Sequence, residues 1–439
     1  MSGAIVAVIG FAGMLVLLAL RMPIGLAMLT AGSIGYTWFT SLPIFMNYMK
    51  TTPYHLFANY TFSVIPLFIL MGALAEKSGL STALFRAAAA FLGHLRGGLG
   101  MALIGACTGF GAICGSSVAT TATFARATLP EFERYKYDSG FAGGMVAVGG
   151  TLGILIPPSV ILVVYAITTE QNIAKLFMAA LIPGLLATVF YCIVIAIMAR
   201  LNPAAAPALE RVPWPQRMRE VVGVWPVMLI AITVVGGIYG GVFTPTEGAG
   251  VGCVAMMVVG VVQRTLGWEE IKASIIQTAE TSAMIFIILL GAEVFNAFLA
   301  LSHLPDTAAQ LVTQSGLPPY GVIVGLLIFY IILGGVMDEL AMILLTLPIF
   351  FPIVTALDLG MPADDIAIWF GILVLMVVGI GLTAPPIGLN VFVVSAIARH
   401  VPIVSIYKGV IPFVLADVIR LALVVAFPAL ALWLVNWLT

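Results

Sequence analysis

The chain has 439 residues, 62% of them hydrophobic and only 8% charged, with a net charge of −1. A soluble chain would carry roughly 25% charged residues, so a water-soluble globular fold is excluded. The net charge of −1 argues against nucleic acid as a partner. The mean hydropathy of +1.16 fits a polytopic all-α membrane protein in contact with membrane lipids.

A spanning helix needs ~20 mostly apolar residues. In chain order such stretches fall at 3–20, 23–41, 61–76, 140–168, 176–200, 221–242, 246–265, 281–301, 366–399 and 404–437. The first, followed by Arg21, reads as a retained span rather than a cleaved signal peptide. Segments 43–60 and 267–280 are amphipathic and fit the membrane interface. The Pro-rich, charged stretch 202–220 reads as a cytoplasmic linker between 1–201 and 221–439.

Two apolar regions, 98–132 and 318–357, are too long for one span. Each has a polar or glycine-rich interruption, "GAICGSSVATT" and "LGGVMDELA". They read as re-entrant hairpins, because irregular backbone at membrane depth is tolerated only inside protein or beside a wet cavity. Two spans are broken by paired prolines: 140–168 at "GILIPPS" and 366–399 at "GLTAPPIGLN". Each pair removes backbone donors and clashes with the preceding turn.

The two halves repeat. Pro23, Gly72, Pro130, Pro157 and Pro183 match Pro245, Gly291, Pro348, Pro385 and Pro412 at nearly constant spacing, which points to a duplication. Five crossings per half, an odd number, predict inverted topology. Charge agrees. With the segment after the first span inside, only Lys50 and Lys175 fall opposite and Arg420 lies within a helix, so fifteen of the 18 Lys and Arg share one side. Both termini then face outward, the first hairpin enters from the cytoplasm, and the second enters from outside.

An interrupted helix exposes what a continuous one hides. Half-helix N-termini offer free N–H groups to a carboxylate, and C-terminal ends offer carbonyls to Na+. Candidate residues sit at each interruption. The first tip, Gly115 to Thr120, carries the hydroxyls of Ser116, Ser117 and Thr120. These are cation or substrate ligands, or they bond back to helix carbonyls. The second tip, Gly334 to Glu339 through Val336, carries Asp338 and Glu339. Asp338 is a functional carboxylate at depth, an N-cap of the returning helix, or both. Thr151, Gly153 and Ser159 flank the first proline pair; Gly379, Thr383, Gly388 and Asn390 flank the second. Neutral oxygens predominate at the tips and breaks, which suits Na+ better than a proton relay.

Elsewhere, Asp417 and Arg420 are three apart and read as a structural ion pair. Glu247 in "TPTEG" reads as a helix cap, Glu293 is isolated, and the four cysteines read as small apolar residues. No metalloprotease, nucleophile-elbow or phosphate-loop motif is present, so no enzymatic activity is expected. A lipid transferase would need a reactive cluster at the interface, whereas these polar residues fall at segment middles. A passive channel is disfavoured by hairpins that close a midplane site from both sides.

"GSSVATTA", "GGTLGILIPPS", "GGVFTPTEGAGVG" and "GIGLTAPPIGLN", in that order along the chain, resemble the large membrane subunit of the tripartite ATP-independent periplasmic (TRAP) transporters. The resemblance covers essentially the whole chain. It implies a fold similar to the divalent anion:sodium symporters, an elevator motion and Na+ coupling. It implies a location in the bacterial inner membrane and two partners, a small four-helix membrane subunit and a periplasmic substrate-binding protein that delivers an organic acid such as a C4-dicarboxylate or sialic acid. Because the chain begins at the first helix of the repeat, the small subunit is expected on a separate polypeptide. A stand-alone symporter needing no binding protein is the competing transport reading.

By the same resemblance, Ser116, Ser117, Gly149, Thr151 and Gly153 belong to one cation site. Gly334, Asp338, Gly379 and Thr383 belong to the other. Ser117, Thr120, Pro158, Ser159, Pro386 and Asn390 lie near the substrate. The related symporters carry Ser-Asn-Thr at each tip; this chain has Ser-Ser-Val and Val-Met-Asp instead.

Overall fold

The computed structural model describes residues 3–314, 316–335 and 337–438; Val336, assigned above to the second tip, lies outside them. Every regular element among the described residues is helical. The first part of the chain runs α1 (Gly3–Ala19), α2 (Ile24–Phe39), α3 (Leu42–Phe57), α4 (Val64–Lys77), α5 (Leu80–Leu92), α6 (Gly98–Cys114), α7 (Ser117–Arg134), α8 (Ser139–Leu155), α9 (Val160–Thr168) and α10 (Ile173–Leu201). The second runs α11 (Trp214–Tyr239), α12 (Pro245–Val262), α13 (Trp268–Leu301), α14 (Leu304–Gln314), α15 (Pro319–Gly334), α16 (Glu339–Thr355), α17 (Ala363–Gly381), α18 (Leu389–Ile397), α19 (Ile403–Ala426) and α20 (Ala429–Leu438).

Among the described residues, seven helices are long and apolar enough to cross a bilayer as single rods, and α8 with α9, bent by 44°, makes an eighth. The first two predicted spans are apolar helices of 17 and 16 residues. Both interrupted regions form helix pairs, α6/α7 and α15/α16, and both proline-broken spans are broken where expected.

Three boundaries differ from the sequence reading, and two helices are not anticipated by it. Segment 267–280 does not stand apart from span 281–301: no proline falls in Trp268–Leu301, and the two form one helix of 34 residues. Its start is closed by Gly267 N–H donating to Glu270 Oε2 at 2.9 Å. The last predicted span stops at Ala426, and α20 begins after Pro428, which cannot donate to the preceding turn. α11 starts at Trp214, inside the stretch 202–220 that the sequence assigns to a linker. Helices α5 and α14, with 13 and 11 residues, are too short to cross a bilayer. The predicted cap is present: Thr244 N–H donates to Glu247 Oε2 at 2.8 Å, and Glu247 N–H donates to Thr244 Oγ1 at 3.3 Å.

The layers follow from which surface meets lipid. Ile5, Val8, Val16, Ile34, Trp225, Ile232 and Val254 on α1, α2, α11 and α12 are exposed. Such apolar faces are stable only against hydrocarbon. At the centre lie the broken helices: α8 is buried from Gly140 to Leu155, and α17 from Ile366 to Gly381. Without a hydrophobic drive between helices in lipid, small residues let backbones approach. A Cβ on Gly32 would lie 2.7 Å from Phe295 N, which joins α2 to α13. One on Gly140 would lie 2.6 Å from Ser405 O, which joins α8 to α19.

Candidate functional site

At the first tip, α6 ends and Gly115 turns the chain at φ 65°, a left-handed conformation that favours glycine. Ser116 then caps α7, its Oγ accepting from Ala119 N at 3.4 Å. Thr120 Oγ1 donates to Ser116 O at 2.7 Å. The end of α8 lies against this turn. A Cβ on Gly153 would sit 2.6 Å from Ser116 O, and one on Gly150 would sit 3.1 Å from Ser117 O. Val160, the first residue of α9, donates its N–H to Gly115 O at 3.5 Å. Ser159 caps α9 through Leu162 N at 3.5 Å and is fully buried, as is Pro158.

The structure thus brings Ser116, Ser117, Thr120 and Gly153 together. Gly149 and Thr151 turn to other neighbours. Gly149 faces α6, where a Cβ would lie 3.0 Å from Cys107 Sγ. Thr151 Oγ1 donates to Val148 O at 2.7 Å and lies 3.2 Å from Tyr191 OH on α10. Its Cβ lies 3.7 Å from the place a Cβ on Gly379 would occupy.

The second tip is built in a comparable way. Gly335 O accepts from Ile387 N, just past the second proline pair, at 3.0 Å. A Cβ on Gly335 would meet Pro386 Cδ at 2.9 Å, and one on Gly381 would meet Gly334 C at 2.7 Å. Asp338 caps α16, its Oδ2 accepting from Leu340 N at 3.2 Å. Thr383 is buried and donates from Oγ1 to Ile380 O at 3.1 Å. Gly334 therefore meets the end of α17, whereas Gly379 faces Thr151 across the centre. The Pro157–Pro158 and Pro385–Pro386 bonds are both cis.

A side chain joins the two halves directly. Asn390, near the start of α18, donates from Nδ2 to Ser117 Oγ at 2.8 Å and to Ala147 O at 3.0 Å. Both Asn390 and Ser117 are fully buried.

Both tips open on one cavity of about 480 Å³. Ser116 lines it from the first tip, and Asp338 and Glu339 line it from the second. Glu339 Oε2 is buried there with no hydrogen-bond partner. Glu76 of α4, Arg126 of α7 and Gln277 of α13 line the same space. Arg126 and Glu76 are 3.6 Å apart, and Gln277 Nε2 donates to Glu76 Oε2 at 3.3 Å. These last three escaped the sequence reading, because nothing local marks residues that meet only across helices. Of the predicted substrate residues, Ser117, Thr120, Pro158, Ser159 and Asn390 are buried and do not line the cavity, and Pro386 is exposed.

Helix ends gathered at paired hairpin tips and broken spans in an all-α membrane bundle define a multi-pass membrane transporter. The sequence profile of the family described as "Tripartite ATP-independent periplasmic transporter, DctM component" matches residues 11–430. The chain belongs to that family, which is one of transporters rather than enzymes, and whose members work with a substrate-binding protein and a small membrane subunit.

The chain is 37% identical over 384 residues to the C4-dicarboxylate TRAP transporter large permease protein of Pseudomonas aeruginosa, covering 87% of each. It is 30% identical over 433 residues to the ectoine TRAP transporter large permease protein of Halomonas elongata, covering 96% and 97%. Its fold is similar to that of the YdaH transporter of Alcanivorax borkumensis, with a TM-score of 0.60 over 88% of each chain at 16% identity.

Proposed function

We propose that this chain is the membrane translocation subunit of a Na+-coupled, binding-protein-dependent importer of an organic acid. It sits in the bacterial inner membrane with both termini in the periplasm. The observation that carries the reading is the shared cavity, into which the two tips bring a serine hydroxyl and two carboxylates while Arg126 stands at its wall.

The N-termini of α7, α9, α16 and α18 supply N–H groups and positive dipole ends, and the C-terminal ends of α6, α8, α15 and α17 supply carbonyls. Cations held at the carbonyl ends and hydroxyls complete the field that the substrate carboxylate meets. The first site uses the surroundings of Ser116, Ser117 and Gly153. The second uses those of Gly334, Asp338 and Thr383, with the unpartnered Glu339 oxygen as an added acceptor for a cation. Two cation sites imply at least two Na+ per substrate. Linkage then requires Na+ and substrate to raise each other's affinity by the same factor.

The repeated order of hairpin and broken span supports two inverted repeats and an elevator motion of the hairpin and broken-helix core against the outer helices. The relatives' names, C4-dicarboxylate and ectoine among them, support a carboxylate-bearing substrate. The partners are a small four-helix membrane subunit and a periplasmic binding protein.

The test is uptake of a labelled acid into proteoliposomes holding this chain and its small partner, with loaded binding protein outside. Uptake should require an inward Na+ gradient and the binding protein. Equal uptake on a proton gradient without Na+ would refute the coupling. Equal uptake without the binding protein would make the chain a stand-alone symporter.

A further inference from the structure

Behind α8, on the side away from the first tip, lies a buried polar chain that the cation and substrate sites do not use. Asp417 and Arg420 of α19 are both 1% exposed. Arg420 Nη2 and Asp417 Oδ1 are 2.7 Å apart. Arg420 Nη1 donates to Pro183 O of α10 at 3.1 Å, and Tyr191 OH of α10 donates to Asp417 Oδ2 at 2.7 Å. Pro183 and Tyr191 are about 12 Å apart along their helix, so the pair bolts α19 to α10 at two levels. The Tyr191 ring is seated edge-on against Phe413, with centroids 5.7 Å apart.

The chain ends on Thr151. Tyr191 gives its only proton to the carboxylate, the stronger acceptor, so Thr151 is the donor between them, its single proton shared between Val148 O at 2.7 Å and the Tyr191 oxygen at 3.2 Å. Residues 147–155 read Ala-Val-Gly-Gly-Thr-Leu-Gly-Ile-Leu. Three glycines make this end of α8 conformationally loose, and Thr151 is its one side chain with a polar atom. It is therefore the one polar side-chain handle on the turns whose opposite face meets Ser116 O and Ser117 O.

A buried ion pair is weak evidence for stability, because apolar residues of similar volume pack as well or better. Its placement at the root of this handle gives it another use. We propose that Tyr191, oriented by Asp417 and Arg420, is a positioning residue that holds the end of α8 against the first hairpin tip and so sets Na+ affinity at that tip. The Na+ part rests on the function proposed above; the positioning part does not.

Hydrogen exchange of the amides in 147–155 reads the positioning without transport. Tyr191→Phe keeps the ring and its packing on Phe413 and removes only the hydroxyl. Exchange in this segment should speed up relative to α17, and unchanged exchange would overturn the inference. In the uptake assay the same variant should raise the Na+ concentration for half-maximal rate by about 10-fold, the low end for loss of a partner that orients a metal ligand. The rate at saturating Na+ should change little. A fall in that rate with unchanged Na+ dependence would also overturn the inference.

Removing one charge alone risks misfolding, so the second variant is Asp417→Leu with Arg420→Met, which removes both charges at similar volume. It should fold and shift Na+ dependence as Tyr191→Phe does; unaltered Na+ dependence would reduce the pair to packing. If exchange accelerates but wild-type uptake ignores Na+, the positioning stands and the coupling reading falls.

Discussion

Asn390 in the second half of the chain donates from Nδ2 to Ser117 Oγ in the first half, 2.8 Å away and 273 residues earlier. The same amide donates to Ala147 O at 3.0 Å, so one side chain ties the second broken span to the first hairpin and the first broken span. Asn390→Ala should leave the buried Ser117 oxygen and Ala147 carbonyl short of a donor. The expected cost is about 1–3 kcal/mol, read as a lower unfolding temperature, with uptake lost more steeply than stability. An Asn390→Ala protein with wild-type uptake would show that the bridge has no part in the cycle.

The close approach of α8 to the first tip makes a second prediction. Gly153→Ala would put a methyl 2.6 Å from Ser116 O, which must shift. Overpacking of this kind costs about 1–3 kcal/mol, and Na+-dependent uptake should fall at least as far. Gly250→Ala on α12, where nothing lies within 4 Å, is the control and should leave uptake unchanged. Equal uptake by both variants would mean that the α8–tip contact is not needed.

Asp338 caps α16 and also faces the cavity, so its two roles separate by substitution. Asp338→Asn keeps an oxygen for Leu340 N and removes the charge. Its unfolding temperature should stay near wild type while uptake drops and needs more Na+. Asp338→Ala should in addition lose about 1 kcal/mol of stability for the missing cap. Full uptake by the Asn variant would leave Asp338 as a cap alone.

What the sequence made legible was local. Paired prolines, glycine-flanked hydroxyls and the Asp417–Arg420 spacing are each written within a few residues, and the structure has helix breaks, hairpin turns and an ion pair at those places. What it concealed was contact across helices. Asn390 with Ser117 and Tyr191 with Asp417 lie 273 and 226 residues apart, and nothing local in either stretch says which residue meets which. Glu76 near the end of α4 and Arg126 in the middle of α7, which share a cavity with Asp338, look like ordinary charged residues of separate helices. Thr151 sits beside the first proline pair, yet helical rotation turns its hydroxyl away from the tip that Gly153 meets. The continuous α13 was hidden because an amphipathic start and an apolar end read as two elements when no breaker divides them.

The membrane sidedness proposed above rests on the charge asymmetry and the repeat parity. Single cysteines at Ala208 and Thr307, both exposed, should label from opposite faces with an impermeant thiol reagent in a background free of other cysteines. Labelling of both from outside would contradict the inverted arrangement.

The most direct test of the account is the ion-to-substrate ratio. Labelled Na+ and labelled acid would be followed together into proteoliposomes carrying this chain and its small partner, with loaded binding protein outside. Two cation sites at two tips predict at least two Na+ entering with each acid and a Hill coefficient for Na+ above one. Acid entering without Na+, or strictly hyperbolic Na+ dependence with one Na+ per acid, would contradict it.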